Sequence, residues 1–335
     1  MRQIMKGLAA SLFSLVLAGP ALAQPASCAG RNLLAELERS DAAAASSLRK
    51  AAEAAPNAKG VLWRVETPDA PDRAPSYLFA TLALTDQRIA TMPAAAKAAL
   101  AQSRRIALTI EDGSAARVSE ALTAVQEQAL LPGGVRLEKL LVGADTSIIQ
   151  RNLKRTGIEP AMSARIKPWV GLLMLSVTDC EYQRIAGGKL TMDGEIARIG
   201  EEYGIGAVGL ESTEQQLLSF SSVPDDAQLA LLKAALTVRP EDVNETLVQL
   251  YLARELGMIG PLRRHLAIKG GASAEAVDAA VQAQLADRTR RMRDRATGHL
   301  QMGGVFMAVG AEHIPGDNGF IALLGEAGFK LTRIE

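Results

Sequence analysis

The stretch FMAVGAEHIPGDNG, residues 306–319, together with the apolar run that follows it to Leu324, decides the architecture predicted for this chain. It predicts a hydrophobic strand, a tight Pro-Gly turn and then a helix. Gly310 allows the backbone to turn sharply where the strand ends. His313 is thereby presented at the carboxyl edge of a sheet, a common place for ligands and chemistry in open α/β folds.

Short apolar or alternating runs elsewhere in the chain predict the remaining strands, at 61–66, 76–82, 105–111, 205–210 and 330–334. Helical patterns dominate from about 114 to 203 and from about 213 to 299. We therefore predict an α/β fold of mixed α+β character: one compact domain with a central sheet and a large helical insertion. The length alone would also allow two domains.

The start of the chain predicts export. Residues 1–23 have a basic start (Arg2 and Lys6), an apolar stretch and an Ala21-Leu-Ala23 cleavage site, the pattern of a secretory signal peptide. An uncleaved anchor is the alternative, but the apolar stretch is short for a bilayer. Residues 24–60, Ala-rich with leucines at helical spacing, predict a helical arm ahead of a domain at 61–335.

The charge balance excludes some partners. The chain has 37 basic and 37 acidic residues, and removal of Arg2 and Lys6 with the signal leaves 35 basic residues. A nearly neutral chain gives no reason to expect binding to nucleic acid or to an anionic membrane. No later segment is apolar for long enough to span a bilayer, so we expect a periplasmic or secreted protein without a stable membrane span.

Four segments, in matching order and spacing, resemble the TraB/GumN family, also called Tiki-like. They are VLWRVE (61–66) with SYLFATLA (76–83), GLESTEQQL (209–217), RTRRM (288–292) and VGAEHIPGDNG (309–319). The resemblance covers roughly residues 60–335. It implies the fold described above and, as the activity proposed for the family, metal-dependent peptide hydrolysis.

The chain departs from the family pattern at the first of two Gly-x-x-His motifs. Where that motif should follow the second strand, the sequence reads Ala80-Thr-Leu-Ala83, without the glycine or the histidine. The carboxylate expected after the next strand is replaced by Glu111, two residues further on. Thr289 stands where the family has asparagine. These changes indicate a degenerate site.

The resemblance marks His313, Glu211 and Arg288 as candidate catalytic residues. A metal would be held by His313, Glu111 and Asp86, with Glu211 as a further ligand. One histidine with several carboxylates suits manganese or magnesium better than zinc. The cofactor is thus a divalent metal (Zn, Mn or Mg) or none, and enzyme activity stays open.

Each candidate also has a structural interpretation. His313 would then only hydrogen-bond the Pro-Gly turn, Glu211 would help Ser212 to cap the next helix, and Arg288 would belong to a solvated basic face. Gln215 is interpreted as a structural bridge, and Tyr251 as a buried tyrosine with one hydrogen bond.

Cys28 and Cys180 are the two cysteines of the chain. An even count in an oxidising compartment predicts a disulfide between them. Cysteine pairs at similar places in some relatives support this pairing. Two unpaired thiols are the alternative.

Three functions follow as hypotheses. The first is a binding or regulatory role in the cell envelope, with a peptide or glycan ligand at the eroded site. The second is a metal-dependent peptide hydrolase with a rearranged ligand set, in which a bound water is the nucleophile. The third is a structural partner of an envelope protein.

Overall fold

A computed structural model gives the structure of residues 28–110, 115–156 and 160–335. Within them, six strands form one sheet: β1 Leu62–Glu66, β2 Ser76–Thr81, β3 Arg105–Ile110, β4 Ala207–Glu211, β5 Val305–Gly310 and β6 Lys330–Arg333. The strand order is β4-β3-β5-β2-β1-β6. Strand β5 is parallel to β2 and β3, and β4 is parallel to β3. The carboxyl ends of these four strands therefore meet at one edge.

Strands β1 and β6 extend the sheet beyond β2 by antiparallel pairing. Strands β2 and β5 lie inside the sheet and are buried almost throughout, which explains their near-continuous apolar sequences. Each predicted strand is present within two residues of its predicted bounds. The largest shift is in β4, which begins at Ala207 and includes Glu211 as its last residue.

The N-terminal segment contains two helices, α1 Leu33–Ser40 and α2 Ala42–Ala54. The side chains of Asn32 and Asp41 cap them by accepting backbone N–H groups. Leu34 and Ala52 reach the main core. Residues 24–27 of the predicted arm, and the signal segment predicted at 1–23, lie outside the described residues.

A helical region separates β2 from β4 on either side of β3. Its helices are α3 Gln87–Ala90, α4 Ala94–Ala101, α5 Ala115–Ala124, α6 Gln126–Ala129, α7 Leu137–Leu140, α8 Ser147–Thr156, α9 Pro160–Ser163, α10 Pro168–Ser176, α11 Asp179–Ala186 and α12 Met192–Glu202. Much of this region has its own apolar core around Trp169, which stacks on Phe220 and donates a hydrogen bond to the Gln128 carbonyl. The predicted large helical insertion is confirmed.

The helices after β4 are α13 Thr213–Ser221, α14 Asp225–Ala235, α15 Pro240–Leu252, α16 Ile259–Lys269, α17 Ala274–Val281, α18 Asp287–Met302 and α19 Phe320–Glu326. The sequence pattern predicted one helix from Ser273 to His299. Instead, a π-helical turn at Gln282–Ala286 separates α17 from α18. Met292 and Ala296 of α18 are fully buried in the core that surrounds the sheet.

The predicted disulfide between Cys28 and Cys180 is confirmed, with the two Cα atoms 5.4 Å apart. Cys180 lies in α11, within the region that the sequence predicts to be mainly helical. Next to the disulfide, Arg31 donates three hydrogen bonds to the buried carboxylate of Asp242 at the start of α15. The N-terminal segment is thus fixed covalently to α11 and by charge to α15.

Among the residues that the structure describes, no helix combines the length and the apolar composition needed to cross a bilayer.

Candidate functional site at the carboxyl edge of the sheet

His313 lies at the carboxyl end of the central strand. Strand β5 ends at Gly310, and a single 3-10 turn, Ala311–His313, carries the imidazole back over the strand end. A Cβ atom on Gly310 would lie 3.4 Å from His313 Cδ2, an ordinary contact distance, so the imidazole packs directly over the end of the strand. His313 is only 2 % exposed. The imidazole is therefore held inside the protein.

Thr289 of α18 fixes the tautomer of this imidazole. Its hydroxyl oxygen lies 2.8 Å from His313 Nδ1 and 2.6 Å from the carbonyl oxygen of Leu285. A hydroxyl has a single proton, and the carbonyl can only accept. The hydroxyl therefore donates to Leu285, and Nδ1–H donates to the hydroxyl. This assignment leaves Nε2 of His313 as the unprotonated nitrogen.

Burial and positive neighbours keep His313 neutral. Burial lowers the pKa of its imidazole from the ordinary 6.5 to about 4, and the charges of Arg288 and Arg263 act in the same direction. The carboxylate of Glu312 raises the pKa, with an effect smaller than that of Arg288 and larger than that of Arg263. A neutral imidazole with a free lone pair can accept a hydrogen bond or bind a metal.

Glu211 and Arg288 form a buried ion pair beside this histidine. Arg288 Nε lies 3.1 and 3.2 Å from the two carboxylate oxygens of Glu211, and its terminal nitrogen donates to the nearer oxygen. The side chains are 1 % and 4 % exposed. The basic-face interpretation of Arg288 is wrong, because the guanidinium is inside the protein.

The backbone geometry around the pair explains how it is held. Glu211 is the last residue of β4, and the following Ser212 and Gln215 form a reciprocal capping box that starts α13. Arg288 also donates to the carbonyl of Gln284 in the π-helical turn, and Arg295 donates to the carbonyl of Leu210. Helix α18 is thereby fixed against β4. Gln215 thus has a structural role, but within the cap of α13 and not as a bridge to another segment. The interpretation of Glu211 as a helix cap is wrong, because Ser212 and Gln215 form the cap and Glu211 binds Arg288.

Asp193 is a site residue that the sequence analysis missed. It lies in the first turn of α12, partly buried, and interacts with the side chain of Thr81 at the end of β2. Burial raises the pKa of the Asp193 carboxyl, and the interaction with Thr81 opposes that rise. Thr81 is paired with Gly310 across the sheet. The sequence signal was weak, since Asp193 is only an acidic residue two positions after Thr191, which caps the helix.

Tyr251 of α15 reaches the same strand end from the other side. Its hydroxyl donates a 2.7 Å hydrogen bond to the carbonyl of Ala80, and burial raises the pKa of the phenol. This confirms the interpretation of Tyr251 as a buried tyrosine with one hydrogen bond. It ties α15 to the segment that lacks the first Gly-x-x-His motif.

Asp86 lies in a separate cluster of charges. Its two carboxylate oxygens accept hydrogen bonds from Arg88, and Arg184 approaches one of them at 3.4 Å. The hydrogen bond from the Arg88 side chain is the main reason that the pKa of Asp86 is lowered. Asp86 would have to leave two arginines before it could bind a metal.

The predicted metal ligands do not assemble in the described part of the chain. Glu111 lies outside the described residues. Within 28–110, 115–156 and 160–335, no three His, Cys, Asp or Glu side chains are grouped so that they could hold a metal ion. His313 Nε2 suits a metal, but Glu211 is already bound by a guanidinium. The described residues alone therefore do not fit a divalent metal.

Glu312 is a partly exposed carboxylate that forms an ion pair with Arg263 of α16. The charge of Arg263 is the main cause that lowers the pKa of this carboxyl. This ion pair joins the turn that carries His313 to α16.

The depressed pKa of His313 predicts a pH dependence of stability. Between pH 6.5 and about 4 the unfolded chain takes up a proton at His313 and the folded chain does not. Stability is therefore fully present above pH 6.5 and is lost as the pH falls to about 4, by up to ~3 kcal/mol. Urea unfolding at pH 7.5 and pH 4.5 measures this loss.

The test variant is His313→Gln, which should reduce the loss of stability between the two pH values relative to the wild type. An unchanged pH dependence in His313→Gln would contradict the depressed pKa.

Comparison with known proteins agrees with the motifs. The sequence profile of the TraB/PrgY/gumN family matches residues 61–333. No curated protein and no solved structure shows significant similarity to the chain. The match extends from β1 to β6 and includes His313, Glu211 and Arg288. The chain therefore belongs to the TraB/PrgY/gumN family.

Proposed function

We propose that this protein has a binding or regulatory role in the cell envelope and is built on an eroded hydrolase-type site. The observation that carries the proposal is the buried ion pair of Glu211 and Arg288. The carboxylate that would serve as ligand or base is neutralised by the protein itself. The guanidinium of Arg288 thus provides the positive charge that a metal ion would otherwise bring to Glu211.

The charge of Glu211 is balanced within the ion pair and needs no metal ion. A buried carboxylate needs a compensating charge, and Arg288 supplies it through two nitrogens, with Nε bonded to one oxygen and a terminal nitrogen to the other. A divalent ion at the same carboxylate would face the positive charge of the guanidinium at short range, where low polarity strengthens repulsion. Metal binding would therefore require Arg288 to move away from Glu211.

Two observations support the envelope as the location. The sequence of residues 1–23 has the pattern of a secretory signal. The two cysteines are joined in a disulfide, which persists in oxidising compartments. A peptide, a glycan or an envelope protein is the partner class that we propose.

The second candidate function is a metal-dependent peptide hydrolase, favoured by one observation. His313 has an unprotonated Nε2 and stays neutral at pH 7, as a metal ligand must. Glu211 would have to exchange Arg288 for the metal, with Glu111 and Asp86 completing the set. The rearrangement that this requires is the reason that we place it second.

Elemental analysis of the purified mature protein tests the choice. The wild type, His313→Ala and His265→Ala are incubated with zinc or manganese, desalted and assayed for bound metal and for cleavage of a peptide library. We expect no stoichiometric metal and no cleavage in any of the three. Near-stoichiometric metal in the wild type and His265→Ala, lost only in His313→Ala, would overturn the proposal in favour of the hydrolase.

A further inference from the structure

A groove of about 630 Å³ lies beside the disulfide, between the segment after β2 and α11. Its walls include Cys28, Thr85, Asp86, Arg88, Arg184 and Lys189. The volume is in the range of small-ligand sites. We infer that this groove binds a ligand through a carboxylate group. The inference rests on the proposed binding function and names the place and the chemistry of binding.

The charges around the groove are layered, with anions inside and cations outside. The carboxylate side chains of Asp86, Glu181 and Glu245 are 11 %, 7 % and 16 % exposed. The guanidinium side chains of Arg88 and Arg184 are 43 % and 28 % exposed. A solute in the groove therefore meets the positive members of the network first.

The carboxylates are also committed to the arginines. Arg88 lies between Asp86 and Glu245 and donates two hydrogen bonds to each. It is the main cause that the pKa values of both carboxyls are lowered. Because both carboxylates are charged and satisfied, neither competes strongly for a cationic ligand. The groups of the groove that can still form hydrogen bonds are donors, so they select a ligand with hydrogen-bond acceptors.

Two side chains keep donors for such an acceptor. Arg184 donates one hydrogen bond to Glu181 and one to Asp86, and a guanidinium carries more N–H groups than these two bonds use. Lys189 is exposed and forms no ion pair within the described part of the chain. Gly188, with a φ of +78°, turns the backbone between α11 and Lys189.

Apolar side chains share the groove wall with these donors and narrow the ligand class. Cys28, as part of the disulfide, and Ala29 line the same groove. A carboxylate carried on an aliphatic group can bond to the donors and cover this apolar surface at once. The C-terminus of a peptide with a final aliphatic residue has this chemistry, and so does a branched aliphatic acid.

Calorimetric titration at low salt with a matched pair of probes tests the inference. The probes are acetyl-Gly-Gly-Leu with a free carboxylate and the same peptide as its C-terminal amide. We expect the acid to bind at least about tenfold more tightly than the amide, since a charge-assisted hydrogen bond is lost in the amide. Equal binding of the two probes, or binding of neither, would overturn the inference.

Two lysine variants locate the binding. Lys189→Ala should weaken binding of the acid, and Lys189→Glu should weaken it further. Lys233→Ala, an exposed lysine on α14, is the control and should bind as the wild type does. Identical affinities in Lys189→Ala and Lys233→Ala would contradict the groove as the site. Lys189 is exposed and makes no structural contact that these variants would remove.

Further probes separate the sources of the carboxylate. If 4-methylpentanoate binds as tightly as the peptide acid, the ligand class includes free organic acids; if it does not, the peptide chain is required. Tighter binding of inorganic phosphate than of either acid would overturn the assignment to a carboxylate. Bound peptide that is then cleaved would refute the proposed function and leave the groove intact. If the protein binds neither metal nor the peptide acid, the inference about the groove fails and the proposed function is not contradicted.

Discussion

Replacing Arg288 with methionine should destabilise the fold by about 3–5 kcal/mol, because it leaves the carboxylate of Glu211 buried and unpaired. Methionine keeps the unbranched apolar stem of arginine and removes the charged guanidinium, so the lost charge dominates the effect. Chemical denaturation at pH 7.5, followed by tryptophan fluorescence, measures the change. The matched control is Arg290→Met on the same helix, whose ion pair with Asp287 is half-exposed. It should cost at most about 1 kcal/mol.

A double variant separates the charge from the packing. Arg288→Met combined with Glu211→Leu removes both charges from the pair, and replacing a buried ion pair by apolar groups is often neutral or stabilising. We expect most of the stability lost in Arg288→Met to return. If the double variant is as unstable as the single one, the hydrogen bonds to Gln284 and the packing of α18 are the main contributions of Arg288. If Arg288→Met resembles Arg290→Met, the pair is not buried in solution.

The same variants bear on the proposed function. Arg288→Met frees the carboxylate of Glu211 beside the neutral imidazole of His313. A gain of metal binding in this variant would show that the guanidinium keeps the metal out. Such a gain would fit an eroded site in which the cation of the protein has taken the place of a metal. No gain would indicate that His313 and Glu211 alone are too few ligands.

The position of His313 was predictable because local sequence determines it. An apolar strand, a glycine and a Pro-Gly turn can be recognised within one short segment. The pairing of Glu211 with Arg288 was not predictable in this way, because the two residues are 77 positions apart. Each was identified as a candidate separately. The sequence also allowed Glu211 to be a helix cap or a ligand, and Arg288 to belong to a solvated basic face.

Asp193 and the π-helical turn show a second limit of sequence reasoning. The interaction of Asp193 with Thr81 depends on how α12 approaches the sheet edge, which no short pattern records. The apolar spacing from Val277 to Ala296 continues through the turn at Gln282–Ala286, so periodicity predicts one regular helix. The turn is set by backbone bonds of wider spacing, such as that from Asp287 N–H to the Gln282 carbonyl, which apolar spacing does not encode.

Removing the disulfide should be the other large perturbation. Cys28 and Cys180 are 152 residues apart, and closing a loop of that length restricts the unfolded chain strongly. The chain-entropy model gives about 5 kcal/mol for it, as an upper value. The double variant Cys28→Ser/Cys180→Ser should therefore unfold at a much lower denaturant concentration than the oxidised wild type. The wild type measured in dithiothreitol should match the double variant.

Loss of the disulfide should increase local opening first around Cys28 and in α11. Arg31 still bonds to Asp242, and the backbone N–H of Leu33 still donates to Thr246, so α1 keeps non-covalent anchors on α15. Hydrogen exchange should therefore rise most in α11 and in the segment before α1, and least in β5. This order follows because local opening begins where the fewest constraints remain.

Asp242→Asn provides the complementary control, since it weakens the anchor of Arg31 and leaves the disulfide in place. We expect faster exchange in α1 but no change in α11. If Cys28→Ser/Cys180→Ser costs no more stability than Asp242→Asn, the unfolded chain gains little freedom from losing the disulfide, and the chain-entropy estimate fails for this protein. Binding of the peptide acid adds a second readout, because Cys28 forms part of the groove wall. A disulfide that shapes this wall predicts weaker binding in the double serine variant and unchanged binding in Asp242→Asn.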